Sequence, residues 1–126
     1  MDSIVHFEIP VDNMDRAKDF YTEIFGWDLQ DMPGTEYVMA NSAPVDKDQM
    51  PTKPGAINGG LTPRMSDTPG FLNYISVDSI DDYLNTIEKH NGSVITPNTP
   101  MGEFGSYARF KDPEGNVMGL WENAAK

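Results

Sequence analysis

The side chains best suited to chemistry lie near the start of the chain, where His6 and Glu8 stand two residues apart in a mostly apolar run. If this run is a strand, both side chains point to the same face, because strand side chains alternate between faces. A histidine beside a carboxylate can bind a polar ligand or exchange protons as an acid–base pair. Alternatively, a core hydrogen bond holds His6 and Glu8 lies near the rim of the sheet. We predict His6 and Glu8 as ligand-binding and candidate catalytic residues.

A second group of candidates lies near the end of the chain. Tyr107 and Arg109 share one face of a predicted strand, and an inward-facing Arg109 would contact an anionic ligand through two hydrogen bonds. If that face points outward, Arg109 is an ordinary surface charge. Gly119 lacks a side chain beside Trp121, which favours either an apolar ligand wall or close packing of another backbone. We predict all four as ligand-binding residues.

The elements that must position these residues occur twice. In the first half a strand is followed by a helix that starts near Asp12 and ends at Gly26, and the second half repeats this pattern with Asp78 and Gly92. Each helix should be followed by three short strands. We therefore predict an α+β chain of one domain, residues 1–126, with half-repeats of about 1–63 and 71–123 and helices near 13–25 and 79–91.

The helical stripes and the loops complete this prediction. One face of each helix should pack on a sheet, formed in the first helix by Met14, Ala17, Tyr21, Ile24 and Phe25 and in the second by Ile80, Tyr83, Leu84 and Ile87. Trp27 is predicted to belong to the core. Residues 42–55 form a long polar loop that could cover a pocket, and residues 63–70 should link the halves.

Composition excludes several classes of function. The 126 residues contain no cysteine, so disulfides and thiol chemistry are absent, which fits a reducing cytoplasm. Twenty acidic residues against nine basic ones give a net charge of −11, which disfavours nucleic acid as a partner. No apolar run is long enough for a membrane span, and the N-terminus does not resemble a signal peptide. We expect a cytoplasmic protein without a nucleic-acid or membrane partner.

The order of elements and several short motifs together resemble one known family. The motifs are FY-x3-FGW at residues 20–27 and DPEGN at 112–116, with HFEIPV at 6–11 and GLWE at 119–122. They resemble the vicinal oxygen chelate superfamily of glyoxalases, bleomycin-resistance proteins and dioxygenases, and within it the proteins related to lactoylglutathione lyase. The resemblance implies two β-α-β-β-β units whose curled mixed sheets enclose a cavity.

The resemblance also implies where a divalent metal would bind. Many family members hold the ion through one residue on the first strand and one on the last strand of each half, and the ion acts as a Lewis acid. The corresponding positions in this sequence are His6, Gly60, Leu72 and Gly119. Strand alternation turns Glu122 to the face opposite Gly119. The sequence therefore predicts no tightly bound metal and no other cofactor, with His6 as the retained family ligand.

Two functions follow from the resemblance. The first is binding of a small molecule in the sheet cavity, as in bleomycin-resistance relatives, with the metal site degenerate. The alternative is a lyase, isomerase or dioxygenase that uses a metal or acid–base chemistry on His6 and Glu8. A structural part in a larger assembly is a third possibility that no motif supports. Relatives commonly pair their sheets as dimers, so we also expect a homodimer.

Overall fold

The computed structural model describes residues 1–65 and 70–124 and contains two helices and eight strands in the predicted order. The first half holds β1 (Ile4–Val11), α1 (Met14–Phe25), β2 (Asp28–Asp31), β3 (Val38–Asn41) and β4 (Asn58–Pro63). The second holds β5 (Leu72–Ser76), α2 (Ile80–Lys89), β6 (Ser93–Pro100), a short 3-10 turn, β7 (Gly105–Lys111) and β8 (Val117–Asn123). The α+β prediction of two β-α-β-β-β units is confirmed. Neither of the helices in the described ranges is long and apolar enough to cross a membrane.

The chain divides into two compact units, and the first contains residues 6–71. Its strands lie in the order β2-β3-β4-β1, with β1 and β4 parallel and the other pairs antiparallel. Ile9, Val38 and Leu61 form its buried core, against which α1 packs. Because strand side chains alternate, His6 and Glu8 face away from α1.

The second unit contains residues 1–5 and 72–126. Its strands lie in the order β5-β8-β7-β6, with β5 and β8 parallel and the other pairs antiparallel. The buried residues Val77, Ile80, Leu84, Ala108 and Leu120 form its core, and α2 supplies two of them. Each unit therefore repeats the same local topology around its own core.

The helix caps differ by one residue from the prediction. Asn13 and Ser79, rather than Asp12 and Asp78, accept hydrogen bonds from the backbone N–H three residues later. The Asp12 carboxylate instead accepts from the guanidinium of Arg64 at 3.0 Å. Gly26 ends α1 with φ +70°, as predicted. α2 ends earlier, at Lys89.

The buried stripe of α1 is narrower than predicted. Met14, Ala17 and Tyr21 pack against the core, but Ile24 and Phe25 are 61% and 59% exposed. Ile24 lies about 60° around the helix from Tyr21, which turns it away from the sheet. Phe25 is the last helical residue and stays at the surface.

The loop of residues 42–55 is organised by its own contacts. Val45 and Pro51 form an isolated bridge, and the Asp46 carboxylate accepts from the backbone N–H groups of Asp48 and Met50 at 2.8 and 3.1 Å. Its role as a cover for a pocket stays a prediction. The predicted linker, residues 63–70, falls partly outside the described residues, which omit 66–69.

Candidate functional site

Polar side chains meet on the strand face of the first unit that α1 does not cover. His6 Nε2 lies 2.7 Å from the hydroxyl of Tyr37, and 3.9 Å from Oε2 of Glu8. Strand β1 presents His6 and Glu8 together because they are two residues apart. Tyr37 is the residue that immediately precedes β3. The Glu8 side chain is buried. The structure thus brings the predicted pair together and adds a tyrosine.

The protonation of His6 is set by burial. Burial lowers the pKa of His6 from its ordinary value of 6.5 to about 4, although 36% of the side-chain surface remains exposed. The imidazole is therefore neutral at neutral pH. A neutral ring has one donor and one acceptor nitrogen, so Nε2 either accepts the Tyr37 hydroxyl proton or donates to its oxygen. The pair presents a neutral hydrogen-bonding group at this strand face.

Gly60 explains how Tyr37 reaches His6. Gly60 pairs with Glu8 on β1 and with Met39 on β3, at the centre of the sheet. A Cβ atom at position 60 would clash with the hydroxyl and the ring of Tyr37. The absence of a side chain at position 60 is therefore what lets Tyr37 extend across β4 toward β1.

A matching arrangement surrounds Gly119 in the second unit. Gly119 pairs with Tyr74 on β5 and with Arg109 on β7. A Cβ atom at position 119 would clash with the ring of Tyr74, so this ring occupies the space that the glycine leaves. Arg109 Nε donates to the Tyr74 hydroxyl at 3.1 Å. Both units therefore place a tyrosine over a glycine of the last strand.

The remaining predicted site residues lie nearby in the second unit. The guanidinium carbon of Arg109 is 5.3 Å from the ring centroid of Tyr107, a cation–π distance. Trp121 pairs with Tyr107, donates from its indole N–H to Asn123 at 2.8 Å, and lies against Gly105. Arg109 is thus held between two tyrosines.

Glu122 has a structural role on the other face of β8. Its Oε1 accepts from the backbone N–H of Ile80 at 2.7 Å, at the start of α2. A carboxylate at a helix N-terminus satisfies an otherwise unpaired donor and interacts favourably with the helix dipole. Glu122 therefore caps α2, which agrees with the alternation of β8.

The donor set does not fit a metal held in the family's manner. Of the four family ligand positions, Gly60 and Gly119 offer no donor, Leu72 is buried hydrocarbon, and His6 is the histidine bound to Tyr37. Within residues 1–65 and 70–124, no three His, Asp or Glu side chains are grouped to hold an ion. The tyrosine rings fill the space that ligand side chains at positions 60 and 119 would need.

A cavity of about 410 Å³ lies elsewhere in the first unit, between the start of α1 and the β2–β3 hairpin. Its lining is mixed, with Val11, Met14 and Val38 beside acidic side chains, and it shares Tyr37 with the His6 cluster. A pocket lined jointly by His6, Glu8, Tyr107, Arg109 and Trp121 stays a prediction.

Sequence reasoning did not identify Tyr37 and Tyr74. Tyr74 occupies the position in the second half that Glu8 occupies in the first, so the repeat itself marked it. Tyr37 precedes β3 and reaches His6 only through the pairing of β3, β4 and β1. That pairing joins residues far apart in sequence. A glycine within a strand indicates that another group packs closely against it, so Gly60 was the available sequence signal.

Comparison with known proteins places this chain among glyoxalase relatives. A protein of Mycobacterium tuberculosis named as a glyoxylase, CFP32, is 32% identical over 111 residues, which is 84% of this chain. The chain spans only 40% of the length of that relative. A glyoxylase-like domain-containing protein of Didymella fabae is 29% identical over 130 residues, covering 94% of this chain and 92% of the relative.

Solved structures share the fold at low identity. Methylmalonyl-CoA epimerase of Streptomyces coelicolor has a TM-score of 0.68 at 17% identity, with 97% of each chain covered. A superfamily member from Vibrio splendidus has a TM-score of 0.64 at 12% identity, with 98% of this chain and 100% of that chain covered. The model of the Glyoxalase/Bleomycin resistance protein/Dioxygenase superfamily matches residues 3–120. The predicted family is confirmed, and the chain belongs to the Glyoxalase/Bleomycin resistance protein/Dioxygenase superfamily.

Proposed function

We propose that this chain binds a small molecule through the polar groups on the strand faces that its helices do not cover, and that the family metal site is degenerate. The observation that carries the proposal is the tyrosine that covers a last-strand glycine in each unit, Tyr37 over Gly60 and Tyr74 over Gly119. Where a family member would direct a metal ligand, this chain directs a phenol. Hydrogen bonding therefore replaces metal coordination as the means of holding a ligand.

The polar groups indicate the class of ligand. In the first unit the ligand would meet His6, Glu8 and Tyr37, which together supply donors and acceptors at a partly apolar face. In the second unit Arg109, oriented by the Tyr74 hydroxyl and the Tyr107 ring, suits a carbonyl or carboxylate oxygen. Gly119 and Trp121 complete the predicted ligand-binding set. A small, partly aromatic compound that bears a carbonyl or carboxylate group matches this chemistry.

The neutral state of the His6 ring at neutral pH favours a role in ligand binding over a role in acid–base catalysis. A general base works best when its pKa lies near the operating pH. Burial lowers the pKa of His6 to about 4, so the ring is a weak base at neutral pH. A neutral histidine that bonds Tyr37 is better suited to orienting a ligand than to removing its proton.

The alternative function is an enzyme related to lactoylglutathione lyase. It is favoured by the glyoxylase names of the relatives and by the epimerase fold neighbour, and it would use His6 and Glu8 as the catalytic pair. This enzyme needs a metal bound by other donors, or acid–base chemistry at a pH near the His6 pKa. Binding of bleomycin is tested by adding bleomycin in the thermal-shift screen. A lyase activity is tested by adding a candidate substrate and measuring its conversion.

A thermal-shift screen of small carbonyl and aromatic carboxylate compounds tests the proposal. We expect hits that raise the Tm of the wild type and lose their effect in Tyr37→Phe or Arg109→Lys, because each variant removes a ligand-facing group while keeping most of the packing. Tyr83→Phe is the matched control, since it removes a hydroxyl that bonds Asp2 and none of the proposed ligand-binding residues. Hits that shift all variants equally would reject the proposed site.

Elemental analysis of protein purified without chelators tests the degenerate metal site. We expect far less than one divalent ion per chain. A stoichiometric transition metal that is lost in His6→Ala would reject the degenerate site and favour the metal-dependent enzyme.

A further inference from the structure

The cavity between the start of α1 and the β2–β3 hairpin has no part in the proposed function. Its volume of about 410 Å³ lies within the range of small-molecule sites, about 300–1,000 Å³. The parallel strands β1 and β4 end at this cavity, since their last residues, Val11 and Pro63, line it. Among the described residues that line it, Tyr37 is the one that also belongs to the proposed ligand-binding groups. The cavity is therefore a separate candidate site.

The hairpin wall of this cavity is held in shape by its own hydrogen bonds. The Met32 N–H donates to the Tyr37 carbonyl oxygen at 3.0 Å, and the Thr35 N–H donates to the Met32 carbonyl oxygen at 3.2 Å. The Thr35 hydroxyl donates to the same Met32 oxygen at 2.8 Å and accepts from the Tyr37 N–H at 3.1 Å. Glu36 lies between these two bonded residues. Its backbone is thus fixed at the cavity before a ligand arrives, which lowers the entropic cost of binding.

Three carboxylates line the cavity, and two of them are already paired with cations. Asp12 accepts from Arg64 at 3.0 Å, and Asp31 accepts from Lys18 at 2.9 Å. The carboxylate of the third, Glu36, forms no ion pair or hydrogen bond in the described part of the chain. The lining therefore carries one negative charge that no neighbouring side chain matches.

The apolar lining and helix α1 determine how a cationic ligand would be oriented. Val11, Met14, Val38 and Pro63 present hydrocarbon to the cavity. Helix α1 begins at Met14, so the positive end of its dipole lies on this side and disfavours a cation there. A positive group is favoured at the hairpin instead, beside Glu36. An apolar body then lies against the hydrocarbon of the strand ends and the first turn of α1.

We propose that this cavity binds a small organic ammonium ion that has one positive charge and an apolar body. The single unmatched carboxylate selects one charge, and the hydrocarbon lining selects the body. Because Glu36 is exposed, water screens its attraction for the ammonium group and the complex is weak. This ligand class differs from the carbonyl and carboxylate compounds of the proposed function, so neither proposal depends on the other.

A titration with phenethylamine, followed by the NMR shifts of the backbone amides, tests the site. This amine is protonated at neutral pH, as the lysine side chain is. We expect saturable shifts centred on Val11, Thr35 and Glu36. Phenethyl alcohol lacks the charge and methylamine lacks the apolar body, so each should bind about threefold or more weakly. Shifts centred elsewhere, or an alcohol that binds as tightly as the amine, would overturn the proposal.

Charge reversal at Glu36 separates the cavity from the general acidity of the protein. Glu36→Lys should weaken phenethylamine binding about tenfold or more, because attraction becomes repulsion. Glu88→Lys is the matched control, since Glu88 is an exposed carboxylate of the second unit and the net charge changes equally. It should change the dissociation constant by less than about twofold. Equal losses in the two variants would mean that the amine responds to net charge alone, which also overturns the proposal.

Two further measurements keep these outcomes distinct. Circular dichroism verifies that each variant is folded, and Glu36→Gln, which removes the charge without reversing it, should weaken the amine about threefold. Arg109→Lys should leave amine binding unchanged, because Arg109 belongs to the second unit. Carbonyl compounds should show the opposite pattern, with binding lost in Arg109→Lys and kept in Glu36→Gln. Amine binding that is lost in Arg109→Lys would place the amine in the other site and reject the cavity.

Discussion

At the scale of single residues, the two glycines of the last strands determine where the rings of Tyr37 and Tyr74 lie. Gly60 and Gly119 lie between paired strands, and a tyrosine crosses each of them. These are not flexible turn positions, because neither has a positive φ. They are close-packing positions at which even a methyl group must displace an aromatic ring.

The first prediction concerns Gly119. Gly119→Ala should lower the free energy of unfolding by about 1–3 kcal/mol, because the added methyl group overpacks against the Tyr74 ring. Gly70→Ala is the control, since nothing lies within 4 Å of a Cβ atom there, and it should change stability by less than about 0.5 kcal/mol. Denaturant unfolding at neutral pH measures both.

Adding Tyr74→Ala to Gly119→Ala identifies the cause of the loss. If the ring is the obstacle, the two substitutions together cost less than the sum of the two alone. Strict additivity would mean that the methyl group is accommodated elsewhere, and the assignment of Tyr74 as the filler of this space would be wrong.

The second prediction concerns the titration of His6. Its pKa is about 4 in the folded chain and near 6.5 in the unfolded chain, so the unfolded state binds more protons between these values. His6 therefore contributes a loss of stability as the pH falls from about 6.5 toward 4. His6→Gln keeps a neutral polar side chain but does not titrate.

Denaturant unfolding of the wild type and His6→Gln over this pH range tests the titration. We expect the stability advantage of the wild type at pH 7 to shrink steadily as the pH falls toward 4. A constant difference between the two proteins across the range would show that the His6 pKa is not depressed.

At the scale of elements, α2 is fixed at its start by a residue from a strand. Glu122 on β8 accepts from the Ile80 N–H, and Ser79 accepts from the Asp82 N–H. The third prediction is that Glu122→Ala lowers stability by about 1–2 kcal/mol, because a charge-assisted cap is lost. Glu114→Ala, in the exposed turn after β7, is the control and should have little effect.

Equilibrium unfolding followed by far-ultraviolet circular dichroism measures this effect. The Glu122→Gln variant separates the two contributions of the cap, since the amide oxygen still accepts a hydrogen bond but carries no charge. We expect the free energy of unfolding of Glu122→Gln to lie between that of the wild type and that of Glu122→Ala. Equal stability of Glu114→Ala and Glu122→Ala would contradict the capping role.

Elements that depend on local sequence were predictable, whereas the site depends on pairing. The Gly26 end of α1 and the turn at Asp112, whose carboxylate accepts from the N–H groups of Glu114 and Asn116, follow from neighbouring residues. Strand alternation also placed His6 beside Glu8 correctly. Tyr37 could not be assigned, because its position depends on which strands pair and in what register. The exposed end of α1 was missed because helical periodicity alone does not show where the sheet stops.

At the scale of the whole molecule, charge is the dominant property. The sequence has twenty acidic and nine basic residues, and in the described part of the chain the ion pairs Lys18–Asp31 and Arg64–Asp12 involve two of the basic ones. Most acidic side chains therefore repel one another across the surface. Salt screens such repulsion over a distance of about 10 Å at 0.1 M and less at higher concentration.

The fourth prediction is that added potassium chloride raises the Tm of this protein. Screening stabilises the folded state, in which the charges are closer together than in the unfolded chain. The double variant Glu88→Lys and Glu103→Lys, which replaces two exposed carboxylates, should have a higher Tm at low salt and a smaller response to salt. Calorimetry over a salt series tests this, and a Tm that is independent of salt would contradict it.

The tyrosine that covers each last-strand glycine also constrains how this chain can evolve. A carboxylate at position 60 or 119 cannot be gained by one substitution, because the new side chain would enter the space of Tyr37 or Tyr74. The tyrosine would have to be lost first, and in the first unit this removes the Tyr37 hydroxyl that is hydrogen-bonded to His6. Each half would thus have to pass through a poorly packed intermediate before a new ligand appeared. The two positions therefore constrain each other, and descendants of this sequence should keep each glycine and its tyrosine together or lose both.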